Sequence, residues 1–439
     1  MTFGQRNQTT YGRGMTDIFN LIKALYPICR SITGNGVRDS LRIIQKQIPL
    51  NVEEVPTGTQ VFDWTIPKEW NITRAYIKNL QGDTIVDFSQ SNLHVVSYSI
   101  PIRKKVSLEE LRTHCYTIPE HPDWIPYRTS YYTETWGFCI SHRTMMQLTD
   151  SHYEVLIESS LTNGSLTYGE YYLPGQTTDE VILTCHICHP SLCNDNLSGI
   201  ALLVSLAKHL QQANNHYSFR FLFIPGTIGS ITWLAQNEVR IPSIKHGLVI
   251  AGVGDRGPIT YKQSRKGNAE IDRAFCHILK HSAPQSKVIE FDPYGYDERQ
   301  FCSPGFNLPV GRISRTPHGC YAEYHTSADN LDFISLDAID DSLKICISAL
   351  EVLENNDCYL NENPKCEPQL GKRGLYRATG GQSKCPQYEI ALLWVLNFSD
   401  GTNHLLDIAE RSGLPFGTIQ TAAAALCDAE LLRELTIIE

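Results

Sequence analysis

Residues 181–210 read VILTCHICHPSLCNDNLSGIALLVSLAKHL: a short apolar run, a loop rich in His, Cys and Asp, then a helical pattern beginning near residue 197. The run VILTCHI (181–187) has the length and β-branched content of a buried strand, and the apolar spacing after it predicts a helix over about 197–212. The same unit recurs downstream. FRFLFIP (219–225) precedes a helix near 228–238, and GLVIAGV (247–253) is followed by the amphipathic NAEIDRAFCHILKH. PVGRISR (309–315) supplies a further strand, and LDAIDDSLKICISALEVLE (336–354) a closing helix. Strands alternating with helices predict right-handed crossovers, hence an α/β fold with a mostly parallel sheet and helices on both faces.

Outward from this core the pattern changes twice. Between Met15 and Ile48, apolar residues at helical spacing (Ile18, Leu21, Ile22, Leu25, then Leu41, Ile44) predict two helices broken at SITGNG, 31–36. From about Val52 to Gly164, short β-branched and aromatic runs (VFDWTIP, AYIKNL, TIVDFSQ, LHVVSYSIP, WGFCIS, YEVLIESSL) are separated by Pro, Gly, Asn or Asp, the pattern of a separate β-rich segment. Past the polar stretch NENPKCEPQLGKRG, a helix, a Gly-containing turn and a second helix suggest a winged-helix-like module. The expected organisation is N-terminal helices over 1–50, an inserted β-rich domain over 51–164, the α/β domain over 165–365 and the winged-helix-like domain over 371–439.

The chain has 439 residues, 42% hydrophobic and 19% charged, an ordinary globular balance. Forty-seven acids against 38 Lys and Arg leave a net charge near −9, which disfavours nucleic acid and anionic membranes as partners. The terminal module sharpens this: residues 388–439 hold Glu389, Asp400, Asp407, Glu410, Asp428, Glu430, Glu434 and Glu439 against Arg411 and Arg433. A helix that binds phosphates needs the opposite balance, so packing on the core or on a second copy, a homo-oligomer, is the better expectation. No apolar h-region follows the N-terminus and no 18-residue apolar span appears, which predicts a soluble cytoplasmic protein. The 14 cysteines are scattered over a long chain and read as free thiols, not as a disulfide framework.

In open α/β sheets ligands bind beyond the carboxyl ends of the strands, and here those positions are rich in metal ligands. The first strand ends at His186, and the loop behind it delivers Asp195. The segment YHTSADN (324–330) brings His325 beside Tyr324. Two imidazoles and a carboxylate suit zinc with one position open, about one ion per chain. Asp255, closing GLVIAGVGD, is a fourth candidate ligand or else a turn or helix cap. His189, just before Pro190, reads as a structural residue or one behind the ligands in preference to a direct ligand. Arg312 and Arg315 could recognise a substrate carboxylate, but the preferred reading is surface residues beside a strand, and they are left out of the site.

Together HICHPSLCNDNLSG, the strand-end GVGD and YHTSADN resemble the zinc-dependent aminopeptidase family that also includes glutaminyl cyclases, and among its members the bacterial polysaccharide-biosynthesis proteins with an aminopeptidase-like domain. The resemblance extends over nearly the whole chain and implies that His186, Asp195 and His325 are metal ligands, with Asp195 the carboxylate that bridges two metals in dinuclear members. It implies that Asp255 matches the remaining carboxylate ligand and that Tyr324 polarises the scissile carbonyl. Two positions depart from the family pattern. An acid expected two residues after the first His is Cys188, and the family's Glu-Glu pair, general base then ligand, falls at Gly226 and Thr227. Asp297 and Glu298, in YDERQF, are the acids expected to stand in for the missing base or to grip a substrate's amino group. The implied activity is zinc-dependent hydrolysis of a peptide or amide bond in a small peptide-like or aminoacyl substrate. The alternatives are a non-hydrolytic binding protein and a zinc acyltransferase or cyclase on the same fold.

Overall fold

The computed structural model describes residues 16–375 and 386–435. They form two compact units, one of residues 16–267 and 287–343, the other of 268–286, 344–375 and 386–435.

The first unit is built on an eight-stranded sheet: β1 (Asn51–Pro56), β2 (Ser165–Leu173), β3 (Glu180–His186), β4 (Ser218–Ile224), β5 (Ile244–Ile250), β6 (Thr260–Lys262), β7 (Lys287–Ile289) and β8 (Val310–Ser314), in the order β1-β2-β4-β3-β5-β8-β6-β7. The central strands β4, β3, β5 and β8 run parallel, while β2 pairs antiparallel with β4 and β6 with β8. Every residue of β3, β4 and β8 is buried, which is why these strands read as continuous apolar runs and not as alternating ones. Helices α1 (16–25) and α2 (Asn35–Gln45) precede the sheet, and α3 (Ser198–Leu210) and α4 (Ile228–Gln236) follow β3 and β4. α5 (Glu298–Phe301) is a single turn ahead of β8, and α6 (Leu336–Glu354) begins in this unit and continues into the second from Lys344.

Asn51–Pro56, expected as the start of the β-rich insertion, instead pairs residue for residue with β2 at the edge of the large sheet. The separate four-stranded sheet begins at Glu69 and has the order 84–87, 69–78, 152–162, 102–107. It buries Ala75, Ile77, Val106, Phe138, Val155 and Ile157 as its own core. LHVVSYSIP forms a 3-10 turn and isolated bridges in place of a strand, because its aromatic residue turns inward: Tyr98 (φ 71°) stacks on Trp70 and its hydroxyl meets Thr33 Oγ1 at 2.5 Å.

The second unit contains the three helices 386–398, 405–412 and 416–428, with strands 358–361, 400–404 and 432–434 in one sheet. The helix 270–282, expected as part of the α/β domain, belongs to this unit. Its Arg273 donates to Asp407 (2.6 Å) and Glu410 (2.5 Å) on the helix 405–412. Cys358–Asn361, placed by sequence before the linker, pairs with both other strands of the module. No helix among the described residues is long and apolar enough to cross a membrane.

Candidate metal centre

β3 ends on the buried His186, and the chain then turns through Cys188 and His189 into the tight turn Cys193–Leu197. That turn is pinned from two sides. Asp329 accepts from Asn194 N (2.6 Å) and Asp195 N (3.0 Å), and Asn196 bridges to β5 by donating to Ile250 O (3.0 Å) and accepting from Gly252 N (3.1 Å). Gly199 makes room for this: a Cβ there would lie 2.3 Å from Asn196 Oδ1. The result is that Asp195, fully buried, points back at His186.

His325 arrives from the loop after β8 with φ 55°, a conformation that costs a non-glycine residue roughly 1–3 kcal/mol and persists only where its surroundings impose it. Here the inserted segment imposes it. Tyr127 N donates to His325 O (2.7 Å), Ser327 N to Ile125 O (2.8 Å), and Ile125 N to Ser327 Oγ (3.0 Å). The sequence IPYRTSYYTETWGFCI thus acts on the centre by pairing with residues about 200 positions away.

Three imidazoles converge on one carboxylate. His186 Nε2 lies 2.8 Å from Asp195 Oδ1, and His325 Nε2 and His189 Nε2 lie 3.1 and 3.9 Å from Asp195 Oδ2. The possible ligand atoms of His186, His189 and Asp195 fall within 4.8 Å of one another. Burial by itself would raise the Asp195 carboxyl, yet the neighbouring His189, His186 and His325 hold it well below its usual range. Burial drives His189 well below its ordinary value, toward the neutral imidazole that a metal needs. Asp195 Oδ2 and His325 Nε2 are both buried and, despite their approach, neither makes an aligned hydrogen bond. Two orphaned atoms, a carboxylate oxygen and an imidazole nitrogen, 3.1 Å apart are the kind of pair a divalent cation with N/O ligands takes up. The donor set therefore fits a metal ion.

A family model described as a domain of unknown function, DUF4910, matches residues 19–356. The chain belongs to the DUF4910 family. A second model, described as a winged helix-turn-helix, matches residues 357–434. This DUF4910 chain is 54% identical over 417 residues, 95% of its length and 96% of the relative's, to a Clostridium acetobutylicum protein that carries the provisional name polysaccharide biosynthesis protein with aminopeptidase-like domain. A crystal structure provisionally called a peptidase, from the same organism, is 50% identical with a TM-score of 0.92, over 98% of this chain and 100% of that one. A zinc aminopeptidase from Bacillus subtilis is 12% identical with a TM-score of 0.57, over 77% of this chain and 94% of its own. That likeness shows a shared aminopeptidase-like fold.

The remaining candidates of the DUF4910 chain separate. Asp255 is not at the cluster: Gly257 N (2.7 Å) and Thr316 Oγ1 (2.6 Å) donate to its Oδ1, and Asn194 Nδ2 (3.1 Å) and Thr316 N (3.1 Å) to its Oδ2. With four donors its carboxylate has no free lone pair to offer a metal, and it ties the loops after β5 and β8 to the Asp195 turn. Tyr324 stacks on His325 with ring centroids 3.9 Å apart, and burial raises its hydroxyl above the usual phenol range.

Asp297 is buried beside the turn at Gly226 and Thr227: its Oδ1 accepts from Thr227 N (2.7 Å) and Ser230 Oγ (2.8 Å), while its Oδ2 is buried without a partner. Burial raises its carboxyl above the ordinary value. A Cβ at Gly226 would lie 3.6 Å from both His186 Cβ and Cys188 Sγ, ordinary contact distances, so this position lies beside the centre and tolerates a Cβ. Glu298, one residue on, points elsewhere and accepts from Lys262 Nζ (3.0 Å) and Arg312 Nη1 (3.3 Å).

The sequence favours a structural role for His189 and does not single out Tyr296, yet both lie at the centre. His189 reaches the cluster because the 187–189 segment bends back, its Nδ1 3.4 Å from Cys188 Sγ and its carbonyl accepting from the buried Arg30 Nε (3.0 Å). The signal available was the H-x-x-H spacing of 186 and 189. Tyr296, hidden beside the acids of YDERQF, donates to Asp195 Oδ1 (3.2 Å) and stacks against His186. Burial, with Asp195 nearby, holds its hydroxyl protonated well above the ordinary value.

Proposed function

We propose that this chain is a zinc-dependent hydrolase of the aminopeptidase-like fold, acting on a peptide or amide bond of a small substrate with a free amino group. The supporting observation is the convergence of His186, His189 and His325 on Asp195, with Asp195 Oδ2 and His325 Nε2 left without other partners. These four residues would hold one zinc ion. When bound, zinc supplies Lewis-acid polarisation of a carbonyl and acidifies water.

The rest of the chemistry is the chain's own. Tyr324, held in the phenol form, offers a hydroxyl donor for negative charge developing on the carbonyl oxygen, while Tyr296 spends its single hydroxyl hydrogen on Asp195 and orients that carboxylate. Asp297 takes the place of the missing glutamate: Thr227 N and Ser230 Oγ fix one carboxyl oxygen and leave the other to accept a proton and return it to the leaving amine. Enclosure of the site by the inserted segment, through Tyr127 and Ile125, limits water around the reacting groups. The acidic winged-helix module is assigned to protein packing, including self-association, and not to nucleic acid.

A second reading is favoured by Gly226, which leaves the family's base position without a side chain: a protein that binds an amino-bearing ligand without cutting it. Incubating zinc-loaded protein with aminoacyl 4-nitroanilides and dipeptides separates the two. The hydrolase reading expects product release that a chelator abolishes and zinc restores. Ligand binding with zinc retained and no release across the panel supports the binding protein instead.

A further inference from the structure

Lys262 and Arg312 occupy directly opposite positions on the antiparallel strands β6 and β8, and both are buried, at 1% and 2% exposure. Like charges facing each other across a ladder are destabilising, and the more so away from water. Among the described residues one acid contacts the pair, the fully buried Glu298, whose Oε1 accepts from Lys262 Nζ and Arg312 Nη1. One carboxylate against two cations leaves a positive charge uncompensated. Lys262 spends its other hydrogens on Asp292 O (2.5 Å) and Tyr294 O (2.9 Å), so the excess falls on Arg312.

The guanidinium is used on one side only. Nη1 contacts Glu298 and lies 3.5 Å from His318 Nδ1, while Nε is buried with no partner. Nη2 makes no hydrogen bond and is not among the fully buried unpartnered atoms, so it is the corner that remains accessible. Nη2 is therefore the atom through which a carboxylate can make a charge-assisted hydrogen bond. Its location relates it to the centre. The Arg312 guanidinium lies over the ring of Tyr296, 5.4 Å from its centroid, and it is this tyrosine that stacks on His186 and donates to Asp195.

We propose that Arg312, backed by Lys262, forms a subsite for a carboxylate of the substrate, so that the molecule acted on carries an anionic group as well as a free amine. The inference rests on the hydrolase reading for the identity of the ligand, and its test is separable from it. Glu298 then offsets part of the subsite's charge, and Nη2 of the guanidinium binds the ligand.

Bestatin, a non-hydrolysable amino-bearing dipeptide mimic ending in a carboxylate, and its neutral carboxamide would be titrated calorimetrically into the zinc-loaded protein. The carboxylate form is expected to bind roughly 10- to 100-fold tighter, the range of a charge-assisted bond. In Arg312→Gln the ratio is expected to fall close to one. In Glu298→Gln, which removes the competing anion, it is expected to hold or rise, and this variant tests the claim even if Arg312→Gln does not fold. Equal affinities or no carboxylate binding in the wild type, a preference surviving in Arg312→Gln, or a lower ratio in Glu298→Gln would each overturn the subsite. Protein that lacks zinc yet prefers the carboxylate would refute the zinc reading and keep the subsite, whereas protein with zinc and no preference would do the reverse.

Discussion

Asp297→Asn protein is expected to keep its zinc and to lose aminoacyl-amide hydrolysis by about 10²–10⁴-fold, the usual contribution of a positioned general base. Asparagine preserves the size of the side chain, and its amide oxygen can still accept from Thr227 N and Ser230 Oγ, so the turn at 226–227 has no reason to move. What it removes is the free carboxylate oxygen, the atom that is buried without a partner. Steady-state kinetics alongside metal content check this. Activity within a few-fold of wild type would assign the proton transfer to another group. Restoring glutamate at Gly226, where a Cβ has ordinary clearance from His186 and Cys188, is the natural companion variant.

The second large effect concerns Asp195. In Asp195→Ala three buried or half-buried imidazoles face one another with no carboxylate between them, and the shared ligand is gone. Zinc added to the wild type at about 100 times its dissociation constant should stabilise the folded state by about 2.7 kcal/mol. The same zinc should give the variant nothing. Thermal unfolding with and without zinc reads this directly, as an upward shift of several degrees in wild type and no shift in Asp195→Ala. Equal shifts in both proteins would place the stabilising metal elsewhere.

The legible part of the fold was the part governed by local pattern. β3, β4, β5, β8 and α6 stand where apolar runs and helical spacing put them, since central parallel strands buried on both faces leave an unbroken apolar signature. Elements that depend on distant partners were not legible. Asn51–Pro56 has the composition of an insertion strand, and only its pairing with β2 assigns it to the large sheet. The helix 270–282 reads as a crossover of the α/β domain, but Arg273 binds it to acids more than 130 residues away.

The centre divides along the same line. Strand-end position pointed to His186, Asp195 and His325, which the structure brings together, and equally to Asp255, whose carboxylate is consumed by four donors that no spacing rule could foresee. His189 looked structural because a proline follows it. Its approach to Asp195 is set by the path of the 187–195 loop, held through Arg30 and Asp329. Arg312 looked like a surface residue and is buried, because it sits on the fully buried strand β8, with Glu298 reaching one of its nitrogens from a turn 14 positions earlier.

Elemental analysis of purified, dialysed protein tests the central claim most directly, comparing wild type with His189→Ala and Asp255→Asn. The account expects about one zinc per chain in wild type, the same in Asp255→Asn and a clear loss in His189→Ala. A wild type that holds no zinc and takes up none, or a metal that depends on Asp255 and not on His189, would contradict it.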